Sequence, residues 1–314
     1  MLQRINAALE WRIRTLKHSV IKLQWRIKKL IDFSKKEKVS SLSIVVVGRN
    51  DNYGGDFSLR LKTTMDWNLS LFPNAELIYI EWNPIEDKDS DCTWISARYP
   101  NAKCFIVSNE IHKQLITKKN FPILEYFAKN LGIRKASGDW IILVNADVLI
   151  GADISFETLN KELVYGTHYN NIQWDNQPIK KEYLENKKNI LSSFPANSVL
   201  ESVVGNFILT HKENWLKATG YDESLSDVRN GVDSNGLKQL LHSSLKTMAL
   251  GNHYHLDHPE SLINGANATH GDQSRIDYII DGKNIPYKNN DSWGMNNYIF
   301  EEIQPRIWKA KTQA

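Results

Sequence analysis

An aspartate interrupts an apolar run that is typical of a buried strand. Ile141–Val144 is short, apolar and partly β-branched, and Asn145, Ala146 and Asp147 follow before apolar residues resume at Val148. An ionised carboxylate in this setting is costly unless it is paired or binds a metal, and open α/β sheets present the carboxyl ends of their strands to ligands. Asp147 is therefore the first candidate site residue. An aspartate that only caps a turn is the alternative interpretation.

A second group of chemically capable residues follows an earlier apolar run. The segment Arg49–Phe57 contains one arginine, two acids and the glycine pair Gly54 and Gly55. Arg49 could pair with a phosphate through two hydrogen bonds, and the glycines would let a diphosphate or a base approach the backbone closely. A plain turn is the alternative here. The glycine spacing does not fit Gly-x-Gly-x-x-Gly and no Gly-Lys-Ser/Thr phosphate loop occurs, so we exclude dehydrogenases and P-loop enzymes.

The elements that position these residues alternate between strands and helices. Strands are predicted over Leu42–Val47, Glu76–Ile80, Ala102–Val107, Ile141–Val144, Asn206–Thr210 and Lys246–Leu250. Helices are predicted over Phe121–Lys135, around Trp215 and over Ser234–Ser244, the last with Asp233 as its cap. This alternation predicts an α/β fold with a doubly wound, mainly parallel sheet.

Length and composition limit the class of protein. With 314 residues, of which 41% are hydrophobic, the chain can bury a sizeable core in one large domain or two small ones. Two cysteines exclude a disulfide framework and fit a reducing compartment. The sequence shows neither an apolar run of about 18 residues nor a secretory signal. We therefore expect a cytoplasmic protein, either soluble or peripheral at a membrane.

Positive charge is concentrated in the leading segment, residues 1–38. It holds eleven Lys and Arg against three acids, whereas the whole chain has a net charge of only +3. Apolar residues recur at alternating steps of four and three, from Leu9 to Leu30, which predicts a basic amphipathic helix. Such a helix could self-associate or dock through its apolar seam, lie on an anionic membrane, or merely pack with one face solvated. A nucleic-acid partner is not expected, because the rest of the chain is acidic.

Taken in order, these segments resemble the GT-A glycosyltransferases, most closely the large family-2-type group. The resemblance covers about Leu42–Pro259 and is carried by four segments: VVVGRND (45–51), IYIEWNP (78–84), KNLGIRKASGDWIILVNADV (129–148) and GNFILTHKENWLKATGYDES (205–224). It implies a Rossmann-like, mainly parallel sheet flanked by helices, preceded here by the N-terminal helix. We divide the chain into the helix (1–38), a GT-A catalytic domain (39–260) and a C-terminal extension that packs on it or closes over it (261–314).

The resemblance also implies roles for individual residues. Arg49, Asp51 and Glu81 would hold the nucleoside of a nucleotide sugar. Asn145 and Asp147 would meet its ribose or diphosphate, although the family usually has Asp-x-Asp where this chain has Asn145-Ala146-Asp147. Mn or Mg would be bound by Asp147 with His255 or His258. Asp233 would be the catalytic base, with Val232 where the family often has Glu.

The implied activity is inverting transfer of a sugar from a nucleoside diphosphate donor to a hydroxyl of a glycan or lipid-linked acceptor, as in polysaccharide biosynthesis. Two alternatives stay open. The departures at Asn145 and Val232 are also typical of a catalytically inactive nucleotide-sugar-binding module. The run HYHLDHP (253–259) spells the His-x-His-x-Asp-His zinc motif of the metallo-β-lactamase fold, so a zinc hydrolase is the third hypothesis.

Overall fold

The computed structural model describes residues 35–116, 121–194, 206–225, 232–242, 245–259 and 288–311, with side chains in the 232–242 segment described at 236–241. The predicted N-terminal helix lies outside these ranges except for residues 35–38. The chain forms two compact units. The smaller comprises residues 1–38 and 156–161, and the larger comprises residues 39–155 and 162–314.

Strands and helices alternate through the first half of the larger unit, as expected. In chain order the strands are β1 Glu37–Lys38, β2 Leu42–Gly48, β3 Glu76–Trp82, β4 Ala102–Val107, β5 Trp140–Val144, β6 Val148–Ile150, β7 Thr158–Leu159, β8 Leu163–Ile172, β9 Ile190–Phe194, β10 Phe207–His211, β11 Lys246–Leu256, β12 Phe300–Gln304 and β13 Ile307–Ala310. The helices are α1 Phe57–Leu71, α2 Asp91–Arg98, α3 Asn109–Leu115, α4 Glu125–Lys135, α5 Lys181–Glu185, α6 Lys212–Ala218 and α7 Val232–His242, with short 3-10 turns at Lys187–Asn189 and Glu223–Leu225.

One large sheet organises the larger unit. Its strand order is β12-β13-β4-β3-β2-β5-β10-β8-β11-β6, and β9 pairs with β8. The run β13-β4-β3-β2-β5 is parallel, β10 is antiparallel to both its neighbours, and β8 and β11 are parallel to each other. The central strands carry apolar residues on both faces because helices cover both sides of a parallel sheet. In the smaller unit, β1 pairs antiparallel with β7.

Several predicted boundaries differ from the structure, and three of these differences affect the segments discussed below. α4 begins at Glu125 rather than Phe121, because Pro122 restricts the residue before it to extended backbone. β11 continues past Leu250 to Leu256, so the histidine-rich run starts inside a strand. α7 begins at Val232, which places Asp233 in the first helical turn and not at the cap.

The described part of the C-terminal segment joins the large sheet. β12 and β13 form a hairpin whose second strand lies parallel to β4. Trp293 is 3% exposed and lies under the Arg134 guanidinium, 4.0 Å from the ring centroid. This tryptophan therefore packs inside the protein. Among the residues that the structure describes, no helix is long and apolar enough to cross a bilayer.

Candidate functional site

The turn Asn145–Asp147 connects β5 to β6 at the carboxyl end of β5. The backbone N–H of Asn145 donates to the carbonyl of Asn206, which immediately precedes β10, at 3.2 Å. The side-chain Nδ2 of Asn145 donates to Oδ1 of the same Asn206 at 3.0 Å. The neighbouring strand thus holds the first residue of the turn through both its backbone and its side chain.

Helix α1 holds the same turn from a second side. Thr64 Oγ1 donates to the carbonyl of Ala146 at 2.6 Å. Asn68 donates from Nδ2 to the carbonyl of Val148 at 2.9 Å and accepts from the N–H of Ile150 at 2.8 Å. Thr64 and Asn68 are four residues apart and so share one helix face, and both are buried. Side-chain hydrogen bonds therefore fix the backbone on either side of Asp147.

Strand β11 brings the histidines to this turn. It pairs antiparallel with β6, with His255 opposite Val148, and the N–H of Leu256 donates to the carbonyl of Asp147 at 2.9 Å. His258 follows three residues after His255, beyond the end of the strand. Residues more than a hundred positions apart in the chain meet here because β6 and β11 are paired.

Asp147, His255 and His258 form a compact cluster. Oδ2 of Asp147 lies 3.2 Å from Nε2 of His258 and 3.5 Å from Nε2 of His255. One ligand atom from each residue lies within 4.8 Å of the other two, close enough to surround one ion. The imidazoles are 9% and 3% exposed and the carboxylate 14%. The sequence predicted all three residues as metal ligands, and the structure brings them together.

Burial and the neighbouring side chains together determine the charges in and beside the cluster. Burial would raise the pKa of Asp147, but the adjacent His255 and His258 outweigh it and hold that pKa well below its usual range. Asp147 is therefore ionised at neutral pH. In contrast, burial lowers the pKa of His253 to about 3, helped by His255 and His168, so His253 is neutral.

Unpaired polar atoms around the cluster fit a bound cation. Among the described residues, Oδ1 of Asp147 and Oδ1 of Asn145 are buried and have no hydrogen-bond partner. Unpaired buried polar atoms are rare in proteins and call for a ligand or water. One carboxylate with two imidazoles is a mixed oxygen and nitrogen ligand set of the kind that binds divalent metals in proteins. The residues present therefore fit a divalent metal.

Aromatic rings and a glycine loop enclose the cluster. The Tyr169 ring stacks on His255, with centroids 6.0 Å apart, and the Tyr53 ring meets His258 edge-on at 5.2 Å. Gly54 lies against the His258 imidazole with a backbone φ of +64°. The buried Arg60 guanidinium donates to the carbonyls of Tyr53, Gly54 and Gly55, which fixes the loop beside His258.

The other predicted donor-binding residues lie at the ends of β2 and β3. Arg49 donates from Nη1 to Asp51 Oδ2 at 2.7 Å and from Nε to the carbonyl of Asn83 at 2.6 Å. Asp51 also accepts from the N–H of Tyr53 at 3.1 Å, so this pair adjoins the glycine loop. Both side chains are less than one-fifth exposed.

Glu81 is engaged at the start of α2. It is fully buried, accepts from the N–H of Asp91 at 2.8 Å and from Ser90 Oγ, and burial raises the pKa of its carboxyl. Both oxygens of Glu81 therefore have protein partners. A contact of Glu81 with a nucleoside stays a prediction.

The predicted base, Asp233, lies in the first turn of α7, and its side chain is outside the described residues. Its convergence on the same cleft as Asp147 therefore stays a prediction. The next described side chains of α7, from residue 236 on, include the buried Leu237 and Leu240, which belong to the main core.

The four residues that match the zinc motif in 253–258 do not converge on one site. His255 and His258 face Asp147, whereas His253 Nδ1 contacts Thr167 Oγ1 at 2.6 Å and Asp257 accepts from Asn171 Nδ2 at 2.8 Å. Within the described residues, the ligand cluster takes its carboxylate from the β5–β6 turn and not from this motif. The arrangement does not match the motif of a two-zinc hydrolase.

Sequence reasoning missed the residues that support the site. Thr64, Asn68 and Arg60 lie on α1, where buried polar residues at four-residue spacing are a weak signal of contacts to a neighbouring turn. Asn171, which hydrogen-bonds to His255, is one of two adjacent asparagines in β8. No local pattern distinguishes it from its neighbour.

Comparison with known proteins identifies the architecture. No family model and no curated protein sequence matches the chain. Among solved structures, GalNAc-T7 with UDP, GalNAc and Mn²⁺ superimposes with a TM-score of 0.50 and 11% identity, over 77% of this chain and 48% of that one. The mannosyltransferase PcManGT from Pyrobaculum calidifontis, in complex with GDP-Man and Mn²⁺, gives a TM-score of 0.40 and 12% identity, over 74% of this chain and 63% of that one.

The chain spans about half the length of GalNAc-T7. Its larger unit has the GT-A fold, the α/β architecture of transferases that use nucleotide sugars. The fold class predicted from the sequence is thus confirmed. The Asp147 cluster lies after β5, the central strand at which the sheet changes from parallel to mixed. In open α/β sheets, ligands bind at the carboxyl ends of the strands, beside such points of reversal.

Proposed function

We propose that this protein is a metal-dependent glycosyltransferase that moves a sugar from a nucleoside diphosphate donor to an acceptor hydroxyl. The observation that carries the proposal is the cluster of Asp147, His255 and His258 at the carboxyl end of β5 in a GT-A fold. Fold alone does not define a reaction, whereas a buried ligand set with unpaired acceptors does point to chemistry.

The proposed metal site follows from the ligand atoms that the cluster offers. Asp147 Oδ2 and the Nε2 atoms of His255 and His258 would hold Mn²⁺ or Mg²⁺, and the two imidazoles favour Mn²⁺. When bound, such an ion stabilises the charge that develops on a departing diphosphate. The two structural neighbours named above were solved with Mn²⁺, which supports the same choice.

The nucleotide-sugar donor would bind to the loop and the strand ends beside the cluster. Arg49, paired with Asp51, offers a fixed guanidinium at the end of β2 for the nucleoside. Asn145, two residues before Asp147, has a buried Oδ1 without a hydrogen-bond partner among the described residues, and this oxygen could accept from a ribose hydroxyl or a metal-bound water. Glu81 would contribute by holding the turn at Ser90 and Asp91, unless that turn opens to expose it. UDP and GDP-mannose in the neighbouring structures support a nucleoside diphosphate donor.

Asp233 would remove the proton of the acceptor hydroxyl. A base on the face opposite the leaving group favours a single displacement, and hence inversion at the anomeric carbon. The acceptor would be a glycan or a lipid-linked saccharide. Tyr169, whose ring stacks on His255, offers a sugar-binding surface beside the metal ligands.

A donor panel tests the proposal. The full chain would be mixed with Mn²⁺ or Mg²⁺ and with UDP-, GDP-, dTDP- and CDP-sugars, and both melting temperature and released nucleotide would be measured. We expect metal-dependent stabilisation by at least one donor, with slow hydrolysis of it. Stabilisation without turnover under any acceptor tested would instead indicate the inactive binding module. No response to any nucleotide would contradict the proposal.

Substitutions test whether the metal-dependent stabilisation arises from the cluster. Asp147→Asn should lose the metal-dependent stabilisation, whereas Asp153→Asn, which changes an exposed carboxylate beyond the other end of β6, should keep it. Asp233→Asn should reduce turnover by about 10²–10⁴-fold while donor binding stays near normal, because it removes only proton transfer. Near-normal turnover of this variant would remove Asp233 from the role.

The basic segment 1–38 would attach the enzyme to an anionic membrane, close to a lipid-linked acceptor. Its eleven cationic residues support this role, at about 1 kcal/mol for each one near the surface. Flotation with anionic liposomes, with and without residues 1–38, tests it. Equal flotation of both forms would contradict it, and a change in oligomeric state on truncation would favour self-association.

A further inference from the structure

Hydrogen bonds link the side chains of Asp257, Asn171 and His255, the last of which belongs to the cluster of possible metal ligands. Asn171 Nδ2 donates to Asp257 Oδ1 at 2.8 Å, and Asn171 Oδ1 lies 2.8 Å from Nδ1 of His255. Asn171 is 3% exposed and His255 is 7% exposed. The two residues lie directly opposite each other in the parallel pair of β8 and β11. Strand pairing therefore sets this contact.

The direction of each hydrogen bond among these three side chains is determined by Asp257. A carboxylate oxygen only accepts hydrogen bonds, so the Asn171 amide must present its NH₂ group to Asp257 and its oxygen to His255. An amide oxygen also only accepts. Nδ1 of His255 must therefore carry a hydrogen and donate it to Asn171.

This assignment has a consequence at the other ring nitrogen. A neutral imidazole with its hydrogen on Nδ1 has a lone pair on Nε2. Nε2 of His255 lies 3.5 Å from the Asp147 carboxylate. In the neutral ring two acceptors therefore face each other in a buried site, whereas a protonated ring donates from Nε2 to Asp147. A metal ion that takes the place of that proton makes both groups its ligands.

We propose that Asn171, oriented by Asp257, is a positioning residue that holds His255 in the Nδ1–H tautomer and so makes its Nε2 a metal ligand. The proposal rests on the proposed function in one respect, namely that the cluster binds a metal. Without Asn171, His255 can place its hydrogen on Nε2, donate it to Asp147 and cease to be a ligand.

The neighbouring asparagine provides a matched control. Asn170 is 4% exposed and hydrogen-bonds to Asn252, to the His253 carbonyl and to Ser193. It lies in the same strand but projects to the opposite face, because successive side chains of a strand alternate. Asn170→Leu thus removes a comparable set of buried hydrogen bonds without touching the Asp257–Asn171–His255 line.

The first experiment determines the tautomer in the metal-free protein. Long-range ¹H–¹⁵N spectra of ring-¹⁵N-histidine-labelled full-length protein distinguish Nδ1–H from Nε2–H, and the His255 signal is assigned by its loss in His255→Gln. In spectra recorded at a pH at which the His255 ring is neutral, we expect Nδ1–H in the wild-type protein and in Asn170→Leu, with a shift toward Nε2–H in Asn171→Leu. A wild-type Nε2–H tautomer, or an unchanged tautomer in Asn171→Leu, would overturn the proposal.

The second experiment measures Mn²⁺ affinity by electron paramagnetic resonance. Loss of a residue that hydrogen-bonds to a metal ligand typically weakens metal binding about 10–100-fold, so we expect about that loss in Asn171→Leu and less than about twofold in Asn170→Leu. Equal losses in both variants would overturn the proposal, because they would indicate a general loss of packing. If Asn171→Leu does not fold, Asn171→Ser removes the same acceptor by shortening the side chain.

The outcomes also separate this proposal from the proposed function. A wild-type protein that binds neither Mn²⁺ nor Mg²⁺ contradicts the metal half of the proposed function. The His255 tautomer, which is measured without metal, still decides whether Asn171 orients the ring.

Discussion

Two adjacent glycines allow the geometry of the Asp147, His255 and His258 cluster to be tested with an internal control. Gly54 and Gly55 both have left-handed backbone conformations, with φ values of +64° and +69°. A Cβ atom at residue 54 would lie 2.4 Å from Nδ1 and 3.0 Å from Cγ of His258. A Cβ atom at residue 55 would meet nothing within 4 Å. Gly54→Ala and Gly55→Ala therefore share a backbone cost and differ in the contacts of the new Cβ, of which the tightest is with His258 and the other is with Arg60 Nη2 at 3.0 Å.

The shared cost is the strain of an alanine in the left-handed region, about 1–2 kcal/mol. The additional effect of Gly54→Ala falls on His258. To reach van der Waals contact, near 3.4 Å, the ring or the loop must move by about 1 Å. Arg60 pins the loop through three carbonyls, so the imidazole is the group that moves. Metal-ligand distances tolerate only about 0.2 Å, so His258 would cease to be a ligand.

Urea denaturation and Mn²⁺ titration together measure the two effects. We expect both variants to lose about 1–2 kcal/mol of the free energy of unfolding. Gly55→Ala should bind Mn²⁺ like the wild-type protein. Gly54→Ala should bind it at least about tenfold more weakly, since even changes in the outer shell of a metal site cause losses of that size. Equal Mn²⁺ affinities in the two variants would refute the assignment of His258 as a ligand.

Two further predictions concern buried polar residues, one near the C-terminal segment and one beside the site. Burial raises the pKa of Glu223 to about 7 from an ordinary 4.5, so the stability that this group contributes is present below pH 4.5 and is lost as the pH rises through 7. Glu223→Gln removes the charge, so at pH 8 its free energy of unfolding, measured by urea denaturation, should exceed that of the wild type by up to about 3 kcal/mol. At pH 5 the two proteins should be nearly equally stable. Equal differences at both pH values would contradict this. Asn68→Ala removes two buried hydrogen bonds beside Asp147 and should cost about 2–4 kcal/mol in urea denaturation, whereas the exposed Ser70→Ala should cost less than about 0.5 kcal/mol. Equal costs would mean that α1 does not hold the turn.

The sequence predicted the parallel centre of the sheet because its strands are long apolar runs separated by helices. β2, β3, β4 and β5 were each found within two residues of the expected bounds. β6 was not predicted as a separate element, because a three-residue strand is too short to show periodicity. The addition of β12 and β13 beside β4 depends on contacts between distant segments, which no local pattern records.

The three residues of the cluster were predictable for different reasons. Asp147 is a polar interruption of an apolar run, and His255 and His258 were assigned by resemblance to late histidines in GT-A enzymes. Their supports were not predictable, because the roles of Thr64, Asn68 and Asn171 depend on which elements pack together. Asp233 was also predicted by resemblance, and its role as the base stays a prediction.

The replacement of the family's first aspartate by Asn145 has a physical interpretation in this site. Asn145 uses its Nδ2 to bind Asn206, and its buried Oδ1 has no hydrogen-bond partner among the described residues. The position thus keeps an oxygen acceptor and loses one negative charge. A divalent ion beside a single carboxylate and two neutral imidazoles retains net positive charge, which a diphosphate would neutralise. Under the proposed function, the diphosphate of the nucleotide would therefore supply the anionic ligand that Asn145 does not.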